Sequence, residues 1–143
     1  MMMSVSGGSS RTGARGLRIS LERSPHAPAL ARAAVTGFTD GSEIAQGTLA
    51  TLLLLVSEVV TNAVIHSPAP NPTEILLCAS LNDSGVIRVE VTDGGSGFTP
   101  APRDPDHPGG GYGLYLVERE ARSWGADGQG GTRVWFELDT ARA

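Results

Sequence analysis

Leu17, Ile19 and Leu21 alternate with Arg18, Ser20 and Glu22. A period of two is the mark of a half-buried strand. Ser24-Pro25 then reads as a helix start, a hydroxyl cap followed by proline at the first helical position, and the alanine-rich stretch to about Phe38 continues it. Asp40-Gly41 breaks that helix and Ser42 is placed to cap a second one, from Glu43 to about His66, where Ser67-Pro68 stops it. Within it Leu52, Leu55, Val56, Val59 and Val60 recur at helical spacing, the pattern of a core-facing helix. Two strands, 73–81 and 86–92, follow, joined by the hairpin composition Asn82-Asp83-Ser84-Gly85. Gly113 to about Trp124 reads as a third helix. Val134, Phe136 and Leu138 alternate with Arg133, Trp135 and Glu137 in a last strand, 132–138.

This order predicts an α+β chain, a two-layer α/β sandwich with helices on one face of a mixed, mostly antiparallel sheet. Residues 1–15, rich in Ser, Gly and Arg without an apolar period, are expected to be a disordered tail. Residues 16–143 then form a single domain. From Gly94 to Gly110 the chain is mostly Gly, Pro and Asp. A structureless stretch of that length inside a compact domain points to a functional lid.

Composition narrows the choices. The 143 residues are 40% apolar and carry a formal charge of −4, so no basic footprint favours nucleic acid or anionic membrane. Every cation is arginine; lysine is absent, which excludes the lysine-dependent phosphate loop. Cys78, the single cysteine, lies in the apolar run Ile75–Ala79. It reads as a buried structural thiol and excludes an internal disulfide or cysteine zinc cluster. The start Met1-Met2-Met3-Ser4 lacks the regions of a secretory signal. The apolar run Leu52–Val56 is too short to cross a bilayer. A cytoplasmic protein is expected.

Four short blocks carry candidate chemistry. Glu58 and Asn62, four apart on a helix, share a face. They are either a polar face turned to solvent, or a hard amide oxygen suited to magnesium beside a carboxylate able to take a proton. Asp93 opens Gly94-Gly95-Ser96-Gly97. It is either a plain Asp-Gly turn, or an acceptor for an exocyclic amine where glycines let the backbone approach a ligand. Gly109-Gly110-Gly111-Tyr112-Gly113 runs into a helix, either as a hinge or as a phosphate-binding start. Gly131-Thr132 puts a small hydroxyl at a strand entrance, or is only a turn.

In order and spacing the four blocks closely resemble the GHKL ATPase superfamily, the Bergerat fold of gyrase, heat-shock chaperone, histidine kinase and mismatch-repair ATPases. The resemblance spans about residues 16–139. The wording Glu58-Val59-Val60-Thr61-Asn62-Ala63-Val64-Ile65-His66 looks most like the bacterial anti-sigma factor serine kinases. It implies ATP and Mg2+ as cofactors, with Asn62 holding the metal and Glu58 activating an acceptor hydroxyl. Asp93 would bond the adenine amino group, and Gly95 and Gly97 would pass the ring. Gly111 and Gly113 would line the phosphates under a lid at about 98–110, Tyr112 and Leu114 would also belong to the cofactor site, and Thr132 would support adenine. The implied partners are a sigma factor and an anti-anti-sigma protein, with a homodimer and no direct nucleic-acid or membrane contact.

The lid departs from the pattern. Pro100, Pro102, Asp104, Pro105, Asp106 and Pro108 crowd it, and Arg103 is its only cation. Arg103 and Arg119 are the candidates to face the terminal phosphate. Two other functions stay open: an ATP-gated binding module without transfer, and a detached histidine-kinase catalytic domain.

Overall fold

The structure, a computed structural model, describes residues 3–4, 15–66, 74–93, 114–127 and 132–140. In chain order these form β1 (Met3–Ser4), β2 (Arg15–Glu22), α1 (Ala27–Thr39), α2 (Gln46–His66), β3 (Glu74–Leu81), β4 (Val86–Asp93), α3 (Leu114–Glu120), β5 (Ser123–Asp127) and β6 (Thr132–Asp139). The strands make one sheet ordered β1-β2-β3-β4-β6-β5. Every ladder between described strands is antiparallel. β1 pairs Met3 with Ile19 and Ser4 with Arg18, inside the stretch expected to be without structure. Residues 5–14 of that stretch lie outside the described residues.

Strand alternation decides which face meets the helices. Leu17, Ile19 and Leu21, Ile75, Leu77 and Ala79, Ile87, Val89 and Val91, and Val134, Phe136 and Leu138 are all buried. α2 packs on β3, β4 and β6, and α1 on α2 and β2. Leu52, Leu55, Val56, Val59 and Val60 supply the buried side of α2, and this apolar layer is the main stabilising term. The 20 residues Gln46–Ile65 are long and apolar enough to cross a membrane by length and composition. That exceeds what the short run Leu52–Val56 suggested; in this fold the segment is the central helix of the core.

Several boundaries differ from the sequence reading. α1 starts at Ala27 with Pro28 in its first turn; Ser24 instead closes the preceding turn, its carbonyl accepting from Ala27 N at 3.0 Å. α2 starts at Gln46, not Glu43: the carbonyl of Ala45 accepts from Leu49 N at 2.9 Å, and the Ser42 hydroxyl accepts instead from Arg15 Nη1 at 3.1 Å. The third helix ends at Glu120, and β5, which the pattern did not predict, takes up Ser123–Asp127. The switch is visible in two bonds. Ala121 N still donates to Val117 O, whereas Arg122 N donates to Glu137 O across the sheet, each at 2.9 Å.

Cys78 is the other correction. Its neighbours in the apolar run point inward, but alternation turns Cys78 outward with Glu74, Leu76 and Ser80, where it is half-buried. Around it the outer face is a cross-strand charge network. Arg88 pairs with Glu90 at 3.0 Å and Glu137 at 3.3 Å, and its guanidinium stacks 4.1 Å from the Trp135 ring. Trp124 faces the other way and packs against the core.

Candidate nucleotide site

The expected site falls at one end of the sandwich. Asp93 is the last residue of β4, paired with Ile75 at the start of β3 and with Thr132 at the start of β6. Alternation along β4 turns its side chain toward the helix layer, where only 1% of the residue is exposed. α2 leads within seven residues into β3, so its last turns arrive at this same end. Asn62 is in those turns. It is 3% exposed, and its Oδ1 has no hydrogen-bond partner among the described residues. A buried amide oxygen left without a donor costs about 1–3 kcal/mol. Its electron pair suits a hard cation.

Glu58 precedes Asn62 by one helical turn on the same side of α2 but is only half-buried. The helix therefore offers an enclosed amide and a solvent-reachable carboxylate side by side. Among the described residues no group of three or more His, Cys, Asp or Glu side chains converges as a metal cage. Asn62 is the described residue that would hold a magnesium ion here, through its amide oxygen.

Of the remaining expected residues, Leu114 opens α3 and is half-buried against the core. Thr132 is placed by its backbone opposite Asp93. Gly95, Gly97, Gly111, Tyr112, Gly113, Arg103 and the lid at 98–110 lie outside the described residues. Arg119 is not brought to this end. It sits at the far end of α3, 3.5 Å from Glu120, beside a cavity also lined by Gly47, Thr51 and Asp139. Thr51 precedes Asn62 by eleven residues of helix, roughly 16 Å along its axis. Two half-exposed or exposed residues carry no motif signal yet share the side of α2 that holds Glu58: Leu54 and Ile65.

Comparison with known proteins places the chain in a family. The profile of the histidine kinase-like ATPase domain matches residues 21–138, and the chain belongs to that family. Among solved structures it is similar to the RsbU and RsbW domains of Rv1364c from Mycobacterium tuberculosis, with a TM-score of 0.72 and 23% identity over 90% of this chain. The likeness covers 33% of that longer chain, so this chain spans about a third of its length. It is also similar to the histidine kinase domain of a blue-light activated histidine kinase from Erythrobacter litoralis. There the TM-score is 0.53 with 26% identity, over 66% of this chain and 45% of that one. No curated protein matches the sequence.

Proposed function

We propose that the chain is an ATP-binding regulatory protein, an anti-sigma factor that transfers phosphate from ATP to a serine or threonine of an anti-anti-sigma protein. It would act in the cytoplasm as a homodimer. The family supports ATP as the nucleotide, and the likeness to a structure that includes an RsbW domain supports the regulatory class. The observation that carries the reading is the buried Asn62 Oδ1, without a partner among the described residues, one turn from half-exposed Glu58.

In this reading Asp93 accepts a hydrogen bond from the adenine amino group, buried so that water does not compete. Asn62 would hold magnesium through its amide oxygen, and the ion would supply neutralisation of phosphate charge. Glu58 takes the proton of the acceptor hydroxyl as that oxygen attacks the terminal phosphorus, and the bond from that phosphorus to its bridging oxygen breaks to release ADP. The carboxylate needs access to an acceptor on another molecule, and its partial exposure provides it.

Incubation of the full chain with γ-labelled ATP and purified anti-anti-sigma proteins of its source organism tests this. Acid-stable label on a serine or threonine of the acceptor is expected. Mg-ATP binding with no labelled acceptor contradicts transfer and leaves an ATP-gated binder. The likeness to a histidine kinase domain favours a second reading, a detached catalytic domain of that type; acid-labile phosphohistidine would distinguish it.

A further inference from the structure

Among the described residues only two large apolar side chains are exposed, Leu54 at 44% and Ile65 at 61%. They are not scattered. Positions 54, 58, 61 and 65 follow the four-three-four spacing that keeps residues in one row along a helix. The row is Leu54, Glu58, Thr61, Ile65, and the neighbouring row carries the buried Leu55, Val59 and Asn62. Leu54 lies about 6 Å before Glu58 along the helix axis, and Ile65 about 10 Å beyond it. Thus the exposed apolar surface of the described fold brackets the carboxylate assigned to the acceptor proton.

The chemistry of the row says what would cover it. Glu58 is the only Asp, Glu, Lys or Arg in the whole of α2, so the row offers no ion-pair code. Thr61 is small and half-buried between the two anchors, which lets a partner's surface come close to the helix. A water molecule or a small metabolite reaching Glu58 would gain nothing from Leu54 and Ile65, which lie on opposite sides of it. A macromolecule that places a hydroxyl at Glu58 is large enough to lie across both. Toward the start of α2 the same side of the helix continues through Thr51 and Gly47 into a cavity of about 530 Å³, walled by Arg119, Arg122 and Asp139. The surface beyond Leu54 is therefore concave, of mixed polar and apolar lining.

We infer that the Leu54–Glu58–Thr61–Ile65 row of α2 is the docking surface for the acceptor protein, a folded partner that presents its hydroxyl between two apolar side chains. This rests on the kinase reading above and adds the part of the enzyme that selects the substrate. Docking is apolar, so the acceptor KM depends little on salt between 50 mM and 500 mM. Leu54 and Ile65 are positioning residues: they hold the acceptor, and Glu58 acts on it.

The test is transfer from γ-labelled Mg-ATP to the purified anti-anti-sigma proteins of the source organism, with the full chain, Leu54→Gln, Ile65→Gln, and Ala33→Gln on the exposed side of α1 as control. Glutamine at these exposed sites keeps helix propensity. Each row variant is expected to raise the acceptor KM about tenfold or more, the loss typical of an apolar anchor. The kcat and the Mg-ATP affinity stay at wild-type values, and Ala33→Gln matches wild type throughout. Labelling with an unchanged acceptor KM in both row variants overturns the docking surface while leaving the kinase reading intact. Mg-ATP binding without label on any acceptor removes the kinase reading and this surface with it. A wild-type dimer that both row variants convert to monomer, seen by sedimentation, assigns the row to a second copy of the chain and likewise overturns the proposal.

Discussion

Asn62 and Glu58 stand one helical turn apart on α2, and the fold treats them oppositely: the amide is enclosed, the carboxylate half-open. Both residues are polar on a helix whose other side is the core. A helix built only for packing would have no reason to bury an amide oxygen without a donor among the described residues. The arrangement is costly for stability, and under the proposed function a ligand that brings a cation would offset that cost.

That cost can be measured. Asn62→Leu removes the buried oxygen and keeps the branched shape of the side chain. The nucleotide-free protein is expected to gain stability by about 1 kcal/mol or to stay unchanged, while the rise in unfolding temperature on adding Mg-ATP disappears. Thermal scans with and without Mg-ATP check both halves.

Glu58→Gln separates binding from chemistry. It keeps the size and loses the proton acceptor. Mg-ATP affinity is expected to stay within twofold of wild type, and phosphate transfer to fall by roughly 10² to 10⁴. An equal loss in both would make Glu58 a binding residue.

Asp93→Asn acts on the base. An amide at this buried position presents a donor as well as an acceptor toward the adenine edge. ATP affinity is expected to drop about tenfold or more, the loss of a charge-assisted hydrogen bond, and the preference for ATP over GTP narrows. Competition titration of the two nucleotides reads this directly.

Away from the site, Gly125 lies under the indole of its cross-strand partner Trp135. A Cβ at Gly125 would meet Trp135 Nε1 at 2.6 Å and Cε2 at 2.8 Å. The ring cannot simply lift, because Arg88 stacks on it. Gly125→Ala is expected to destabilise the fold by about 1–3 kcal/mol and leave nucleotide affinity unchanged. Urea unfolding and Mg-ATP titration of the same variant test the pair of statements.

Burial pushes the Cys78 thiol up from its ordinary value, with Glu90 adding to the rise and Arg18 opposing it. The folded state therefore holds the thiol proton more tightly than the unfolded chain does. The associated stability is fully present below the ordinary thiol range and declines as pH rises through the raised value. Alkylation by iodoacetamide in the native protein is expected to reach half its maximal rate at a higher pH than in the urea-unfolded chain. Coincident profiles would contradict the assignment.

Much of this was legible in the sequence. The strict alternation at Leu17–Leu21 and Val134–Leu138 has one reading, and both stretches are strands with those residues inward. Glu58 and Asn62 were legible as sharing a face because helical spacing is local. What failed depends on contacts far along the chain. Ile75–Ala79 is apolar at every position, so nothing local says that Cys78 faces outward; only the alternation of β3 in the sheet decides it. Ser123–Asp127 has no alternation and no breaker before it, and becomes a strand because β6 offers an unpaired edge. Leu54 and Ile65 were hidden for the same reason: exposure is a property of packing, and leucine and isoleucine in an apolar helix read as core.

Titration calorimetry of ATP into the full chain and into Asn62→Ala, each with and without Mg2+, bears most directly on the site. Wild type should bind one ATP with an affinity that Mg2+ strengthens, and Asn62→Ala should keep the metal-free affinity and lose the gain from Mg2+. The same gain in both proteins would contradict the assignment of Asn62, and with it the nucleotide site built around it.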